Sequence, residues 1–269
     1  MMTKIVKNKN LVGISFVLIL LAVVRAASAE SSVSSPLLHT AKPSQPQKFS
    51  TLTLTGSASN ASAIDGWRVV ALPKKTLNQY QIVADTEGDQ HPHVLQADSA
   101  NAASSLLMAV DVDPKKTPLL HWRWRTATVL KGGNVLTKAG DDYPLRVYVV
   151  FDVPLESLSF GARTKIRFAR SLFGADVPVA ALCYVWDGKQ PVGTNVWNAY
   201  TDRLRMIVTQ SGDAKQNQWV DEHHDVAADF KAAFGFDAPK ITAVLVGADT
   251  DNTKETSRSW FGDLSFSAK

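Results

Sequence analysis

The chain has a single cysteine, Cys183, among its 269 residues. No internal disulfide can form, so stability must come from a packed core. With 45% apolar residues the chain has the material for one. Long apolar runs are scarce too: the run Leu11 to Val24 is closed by Arg25 and falls short of the about 20 residues that a spanning helix needs. Hydrolase signatures are missing. There is no Gly-x-Ser-x-Gly elbow and no His-Glu-x-x-His, which removes the elbow-type serine hydrolases and the zinc proteases recognised by that helix. Cys183 sits inside an apolar segment, the setting of a small buried thiol rather than of a nucleophile. Internal repeats are absent, and no Gly/Pro/Ser-rich break divides the chain after Phe49.

What is present begins with an export signal. Lys4, Lys7 and Lys9 precede the apolar run, and Ala27-Ser28-Ala29 offers a small-residue cleavage site before Glu30. Residues 1–29 are therefore read as a cleaved signal peptide, and no cysteine follows the apolar run to carry a lipid. That segment holds four basic residues and no acidic one, whereas the whole chain has 29 basic and 25 acidic residues. The mature chain is thus balanced at 25 of each, and nucleic-acid binding has no support in its charge. Residues 30–48, rich in Ser, Pro, Gln and Lys, read as a disordered linker. Residues 49–269 read as one domain in the periplasm or outside the cell, with no membrane span once the signal is removed.

The domain is dominated by short runs of β-branched and aromatic residues separated by turn residues. Strands are predicted near Phe49–Thr55, Trp67–Leu72, Tyr80–Asp85, His93–Ala97, Ser105–Val112, Leu119–Val129, Tyr143–Asp152, Val179–Trp186, Arg203–Thr209, Gln218–His224, Ile241–Ala248 and Ser259–Phe266. Helices are predicted over Ala162 to Leu172, before Gly174, and over Ala227 to Phe234, with Asp225 capping its start and Gly235 its end. So many strands with so little helix predict an all-β sandwich of two antiparallel sheets with one or two short helices. The strands at Leu119 and Tyr143 are expected to be antiparallel neighbours, because the Gly-rich segment Leu130 to Asp142 joins them. Val179 to Trp186 and Ile241 to Ala248 are apolar on both faces, as suits strands covered on each side.

Period-two alternation then sorts the polar side chains. In Leu119–Val129, Leu120, Trp122 and Trp124 share one face while His121, Arg123 and Arg125 share the other. Arg146 and Tyr148 alternate with Leu145, Val147 and Val149, and Arg203 and Arg205 with Leu204, Met206 and Val208. If these strands share a sheet, Arg123, Arg125, Arg146, Tyr148, Arg203 and Arg205 form one basic, partly aromatic ligand-binding face; salt bridges to nearby carboxylates are the other use for such arginines. Asp249, Asp251 and Asn252 put alternate oxygen ligands in a loop, as a hard cation requires. The loop lacks the glycine and glutamate of the helix-loop-helix calcium motif, and the same residues also suit a turn held by its own side chains. In the run Asp221-Glu222-His223-His224, alternation separates Asp221 and His223 from Glu222 and His224, too few ligands on either side for a transition metal. Asp141 and Asp142 are adjacent and splay apart, unlike a glycosidase pair, which faces across about 5–9.5 Å.

The series LLHWRWRT (Leu119 to Thr126), AGDDYPLRVYVVFD, ALCYVWD, GADTDNT and SWFGDLSF resembles the bacterial family known as domain of unknown function 3047, from about Trp67 to Phe266. The resemblance implies exported proteins with a jelly-roll-like sandwich of the carbohydrate-binding type, and it supplies no catalytic residues. Asp263 is similar to a position where jelly-roll glycan modules place a structural calcium ligand, and a buried carboxylate paired with an arginine is the alternative. The reading is of a non-enzymatic exported protein that binds a saccharide or cell-envelope polymer, acidic for preference. Its alternative is an envelope structural or docking module, and a glycan hydrolase comes third. No cofactor is expected beyond a structural calcium at Asp249, Asp251, Asn252 and Asp263.

Overall fold

A computed structural model of the chain describes residues 42–55, 63–71, 74–86, 92–173 and 178–269. The expected signal peptide, the first part of the expected linker and the Gly174 end of the first helix lie outside the described residues. The strands are β1 (Ala63–Ile64), β2 (Trp67–Ala71), β3 (Gln79–Ala84), β4 (His93–Ala100), β5 (Ala103–Val112), β6 (Leu119–Thr126), β7 (Tyr143–Phe151), β8 (Ala180–Asp187), β9 (Asn195–Asn198), β10 (Thr201–Ser211), β11 (Val220–Asp225), β12 (Ile241–Asp249), β13 (Thr256–Phe261) and β14 (Ser265–Ser267). Two helices accompany them, α1 (Phe160–Phe173) and α2 (Val226–Phe234).

The strands form two sheets. The larger has the order β1-β2-β5-β12-β7-β8-β10-β9; the smaller has β11-β6-β13-β4-β3, with β14 also paired to β6. Between the sheets lies the main core, where Trp122 and Trp124 of β6 and Phe261 of β13 meet Leu145, Val147 and Val149 of β7 and Val244 and Val246 of β12. On the other side of the larger sheet a second apolar cluster joins Tyr148, Cys183, Met206, Leu245 and Leu107. Strands β8 and β12 contribute to both clusters and are buried on both faces. The chain is therefore a two-sheet all-β sandwich with two helices.

Three features depart from expectation. Strands β6 and β7 are not neighbours but belong to different sheets. The connecting segment is too long for a tight hairpin and packs as a loop instead: Glu255 accepts the Lys131 and Gly132 N–H groups, and Asp187 accepts that of Val135 at 2.7 Å. Gly188 permits this packing, because a Cβ there would lie 2.0 Å from the Leu130 carbonyl oxygen. Second, β8 and β10 run parallel, since β9 takes the sheet edge and β10 inserts between it and β8. Third, Phe49–Thr51 is a 3-10 turn rather than a strand, and Ser259–Phe266 is split into β13 and β14 around Gly262.

Residues 42–48, expected as the end of a linker, are docked on the sandwich. Asp111 N–H donates to the Pro43 carbonyl, and the Gln45 side chain both donates to and accepts from the Phe266 backbone at 2.8 and 2.7 Å. Helix α2 starts and stops at the residues read from sequence. Asp225 accepts from Ala228 N–H at 2.9 Å, and Gly235 adopts φ 82°, the left-handed conformation that favours glycine. Among the described residues no helix is long and apolar enough to cross a membrane.

Candidate functional site

The six residues grouped on one expected face do not share one. Arg123 and Arg125 belong to the smaller sheet, whereas Arg146, Tyr148, Arg203 and Arg205 belong to the larger. Within the larger sheet they separate again. Tyr148 packs in the outer cluster with Leu204 and Met206, so Arg203 and Arg205 point to the opposite face. Arg203 pairs with Asp202 at 3.1 Å and lines a groove of about 420 Å³ with Trp197, Phe234 and Phe236. Arg205 donates to Asn195 and lies 4.9 Å from the Trp197 ring centroid.

Arg146 is not a surface residue: it is 1% exposed. Its Nη2 meets Asp249 Oδ2 at 2.5 Å and the Asp141 carbonyl at 2.7 Å, while its Nη1 donates to the Tyr148 hydroxyl at 2.9 Å. The guanidinium also lies 4.4 Å from the Tyr143 ring centroid. Strict alternation would place Tyr143 on the face of Leu145. An irregular register between Gly247 and Asp249 of β12 turns it to the Arg146 side. Burial works against the Arg146 charge, but Asp249, Tyr148 and Asp141 together hold its pKa well above the ordinary value. A buried charge paired and bonded in this way is a structural element, and no ligand can reach it.

Around it are the acidic residues of the expected cation loop. Asp142, Asp249 and Asp251 each bring an oxygen within 4.8 Å of the others, and all three are buried. Asp142, absent from the sequence-derived set, takes the place of Asn252. The Asn252 contribution is its backbone N–H, which donates to Asp142 Oδ2 at 2.9 Å, while its side-chain amide donates to the Lys138 and Asp141 carbonyls. Asp263 lies apart from the triad. It accepts the Ser50 N–H and hydroxyl at 2.9 and 2.5 Å and so pins the 3-10 turn to the end of β13.

The alternation within Asp221–His224 is present: Asp221 and His223 are exposed, while Glu222 and His224 turn inward. His224 stacks on Tyr184 and Trp122 with ring centroids 4.6 and 5.3 Å apart, and its Nε2 lies 3.5 Å from Glu222. Asp229 of α2 holds the Tyr184 hydroxyl at 2.7 Å, and burial raises its pKa.

An outward-facing array does exist, on the smaller sheet. Register places Arg125 opposite Trp260, Trp260 opposite Gln96, and Gln96 opposite Gln81. Val220 pairs with Trp124, so Trp219, just before β11, falls beside Arg125. A transverse row Trp219–Arg125–Trp260–Gln96–Gln81 thus follows the order β11-β6-β13-β4-β3, with Trp219 just ahead of β11. The Arg125 guanidinium lies 4.3 Å from the Trp260 centroid and 5.2 Å from that of Trp219, and Arg123 lies 4.3 Å from Trp219. Both indoles are partly exposed.

Two members of the row are fixed by hydrogen bonds. Trp260 Nε1 donates to Gln96 Oε1 at 3.1 Å, Gln96 Nε2 donates to Asp98 at 2.9 Å, and Arg258 grips the same carboxylate at 2.6 Å. Arg123 is fixed by Asp85 at 2.6 Å. Gly262 leaves space for it, since a Cβ there would lie 2.4 Å from Arg123 Cγ. Arg123 and Arg125 were the only sequence-derived members of this array. Trp219, Trp260, Gln96 and Gly262 were missed, although Trp260 alternates with Ser259 and Phe261 and so could have been placed outward by parity alone.

The family model described as "Protein of unknown function (DUF3047)" matches residues 65–265, and the chain belongs to this family. No curated protein matches the sequence. Similar solved structures include the xyloglucanase domain of NopAA from Sinorhizobium fredii in complex with cellobiose, with 10% identity, 80% of this chain and 97% of that one covered, and a TM-score of 0.38. The family 30 carbohydrate-binding module of a Clostridium thermocellum cellulosomal cellulase has 11% identity, 84% and 97% coverage, and a TM-score of 0.36. The Endo-D glycoside hydrolase domain of Streptococcus pneumoniae R6 has 9% identity and a TM-score of 0.33 over 75% of this chain, which spans 21% of that one. Likeness at this level leaves ligand and activity to be read from the chain's own residues.

Proposed function

We propose that the outward face of the five-strand array binds a saccharide chain, as the working surface of a non-enzymatic protein exported to the periplasm or beyond. The observation that carries this reading is the row Trp219–Arg125–Trp260, two partly exposed indoles on either side of a guanidinium. An indole offers a flat apolar surface with one polar edge, on which the C–H face of a sugar ring can stack. Arg125 and Gln81 supply donors and an acceptor for hydroxyl groups beside it. Adjacent strands are about 4.8 Å apart, so the two indole positions, separated by β6, lie about 10 Å apart across the sheet. That span suits a chain of rings better than a single ring.

Rigid positioning favours the same use, because side chains held by strands and by a second layer of hydrogen bonds lose little freedom when a ligand docks. The finer reading is an acidic saccharide. A uronate or sulfate beside Arg125 would receive the planar pair of donors that a guanidinium presents. This face also carries Asp85 and Asp98 paired with Arg123 and Arg258, and Asp221 opposite Arg123, so the electrostatic contribution is local to Arg125 rather than spread over a basic field.

The test is a panel of neutral and acidic glycans and envelope polymers, probed with purified protein at two salt concentrations. Trp219→Ala and Trp260→Ala should each weaken binding about tenfold or more while circular dichroism stays unchanged. An acidic ligand should bind more weakly at high salt, since exposed charges are screened within about 8 Å at physiological ionic strength. Absence of binding across the panel, or binding indifferent to both substitutions, overturns the proposal.

A further inference from the structure

The geometry points to a calcium ion held by Asp142, Asp249 and Asp251 where the end of β12 meets the start of β7. Three segments distant in sequence or separated by a turn bring these carboxylates together, with one oxygen of each within 4.8 Å of the others. Asp142 and Asp251 are each anchored through one oxygen, whereas Asp249 is held through both, its Oδ2 facing Arg146. Asp142 Oδ2 accepts the Asn252 and Thr253 N–H groups at 2.9 and 2.6 Å, Asp249 Oδ1 accepts that of Tyr143 at 3.0 Å, and Asp251 Oδ2 is gripped by Lys75.

The second oxygens are the independent sign of a ligand. Asp142 Oδ1 and Asp251 Oδ1 are buried and accept no hydrogen bond, although their residues are 0% and 3% exposed. A buried carboxylate oxygen left this way is costly unless something positive meets it. Charge points the same way. Asp141, Asp142, Asp249 and Asp251 are four carboxylates, and among the described residues the side-chain cations ion-paired with them are two, Arg146 and Lys75. Lys254 adds a contact to the Asp251 carbonyl rather than to a carboxylate. One dication balances the remainder.

The donor set selects the ion. All ligands are oxygen, with no histidine or thiolate among them, which suits a hard cation rather than zinc or copper. Calcium tolerates irregular arrangements of six to eight oxygens with water completing the shell, whereas magnesium demands a near-ideal octahedron. Burial pushes the pKa of Asp142 up, and that of Asp249 well up, so protons compete for the same oxygens in the absence of the ion. The experiment must therefore separate metal from protons.

Full-chain protein stripped with chelator is titrated with calcium chloride by calorimetry, and its thermal midpoint is measured with and without the ion. One calcium should bind per chain, and a hundredfold excess over Kd should raise the midpoint by about 5–10 °C. Magnesium chloride at the same concentration should shift it less. Asp142→Asn and Asp251→Asn should each abolish the calcium-dependent shift. No heat of binding together with an unchanged midpoint overturns the proposal, and so do variants that respond to calcium as the parent does. If a variant fails to fold, the titration of the parent chain alone decides.

Discussion

Arg146 shows how a single residue can look like a binding group and serve a different end. Its position midway along a strand, alternating with valines, is where an outward arginine would stand on a one-sided sheet. The larger sheet is covered on both sides, so the same alternation leads into a second cluster instead of to solvent. Removing its charge takes from Asp249 and Asp141 the side-chain cation that pairs with both of them. Arg146→Met should therefore destabilise the fold by about 3–5 kcal/mol in urea titration, and adding Asp249→Asn should recover a measurable part. A loss under 1 kcal/mol for the single variant would mean that the guanidinium is not holding those carboxylates. Gly262 is the matching residue on the proposed binding face. Gly262→Ala puts a methyl group where Arg123 Cγ now lies, and overpacking of this kind costs about 1–3 kcal/mol. The expected result is lower stability together with weaker glycan binding, as Arg123 leaves Trp219; unaltered binding would show that this stack does not contribute.

Elements were legible in the sequence where their pattern is local. The alternation of LLHWRWRT placed Trp122 and Trp124 in the core and the arginines outside, because a strand in a sheet with one solvated face sorts its side chains by parity. Helix α2 was equally legible from its cap and its terminal glycine. Asp225→Ala should cost about 0.5–2 kcal/mol through the lost bond to the Ala228 N–H, read as a lowered urea midpoint with unchanged slope. An effect near zero would show that α2 needs no cap once packed on β8. Pairing was not legible in the same way. Nothing in the segment joining β6 to β7 says that it crosses from one sheet to the other, nor that β10 inserts beside β8 in parallel. Tyr143 departs from strict alternation because β7 carries one extra residue between Tyr143 and Arg146 relative to β12, and nothing in its run of residues marks that irregularity. Asp142 was passed over for a related reason: its neighbours Asp249 and Asp251 come from the far end of the domain.

At the scale of the molecule the two faces of the sandwich have separate tasks. The larger sheet carries a cluster of apolar side chains and a buried charge network on its outer side, which consumes Arg146 and Tyr148. The smaller sheet keeps its outer side polar and aromatic, and across it the segments LLHWRWRT and SWFGDLSF lie in register, Arg125 beside Trp260. The proposed function therefore rests on that row. Calorimetric titration of the bound glycan into Trp260→Ala, with Trp197→Ala as the comparison, tests it most directly, because Trp197 is an indole 36% exposed on the larger sheet, apart from the row. The account predicts affinity reduced at least tenfold in Trp260→Ala and unchanged in Trp197→Ala. Affinity kept in Trp260→Ala but lost in Trp197→Ala would contradict it and move the binding surface to the other sheet.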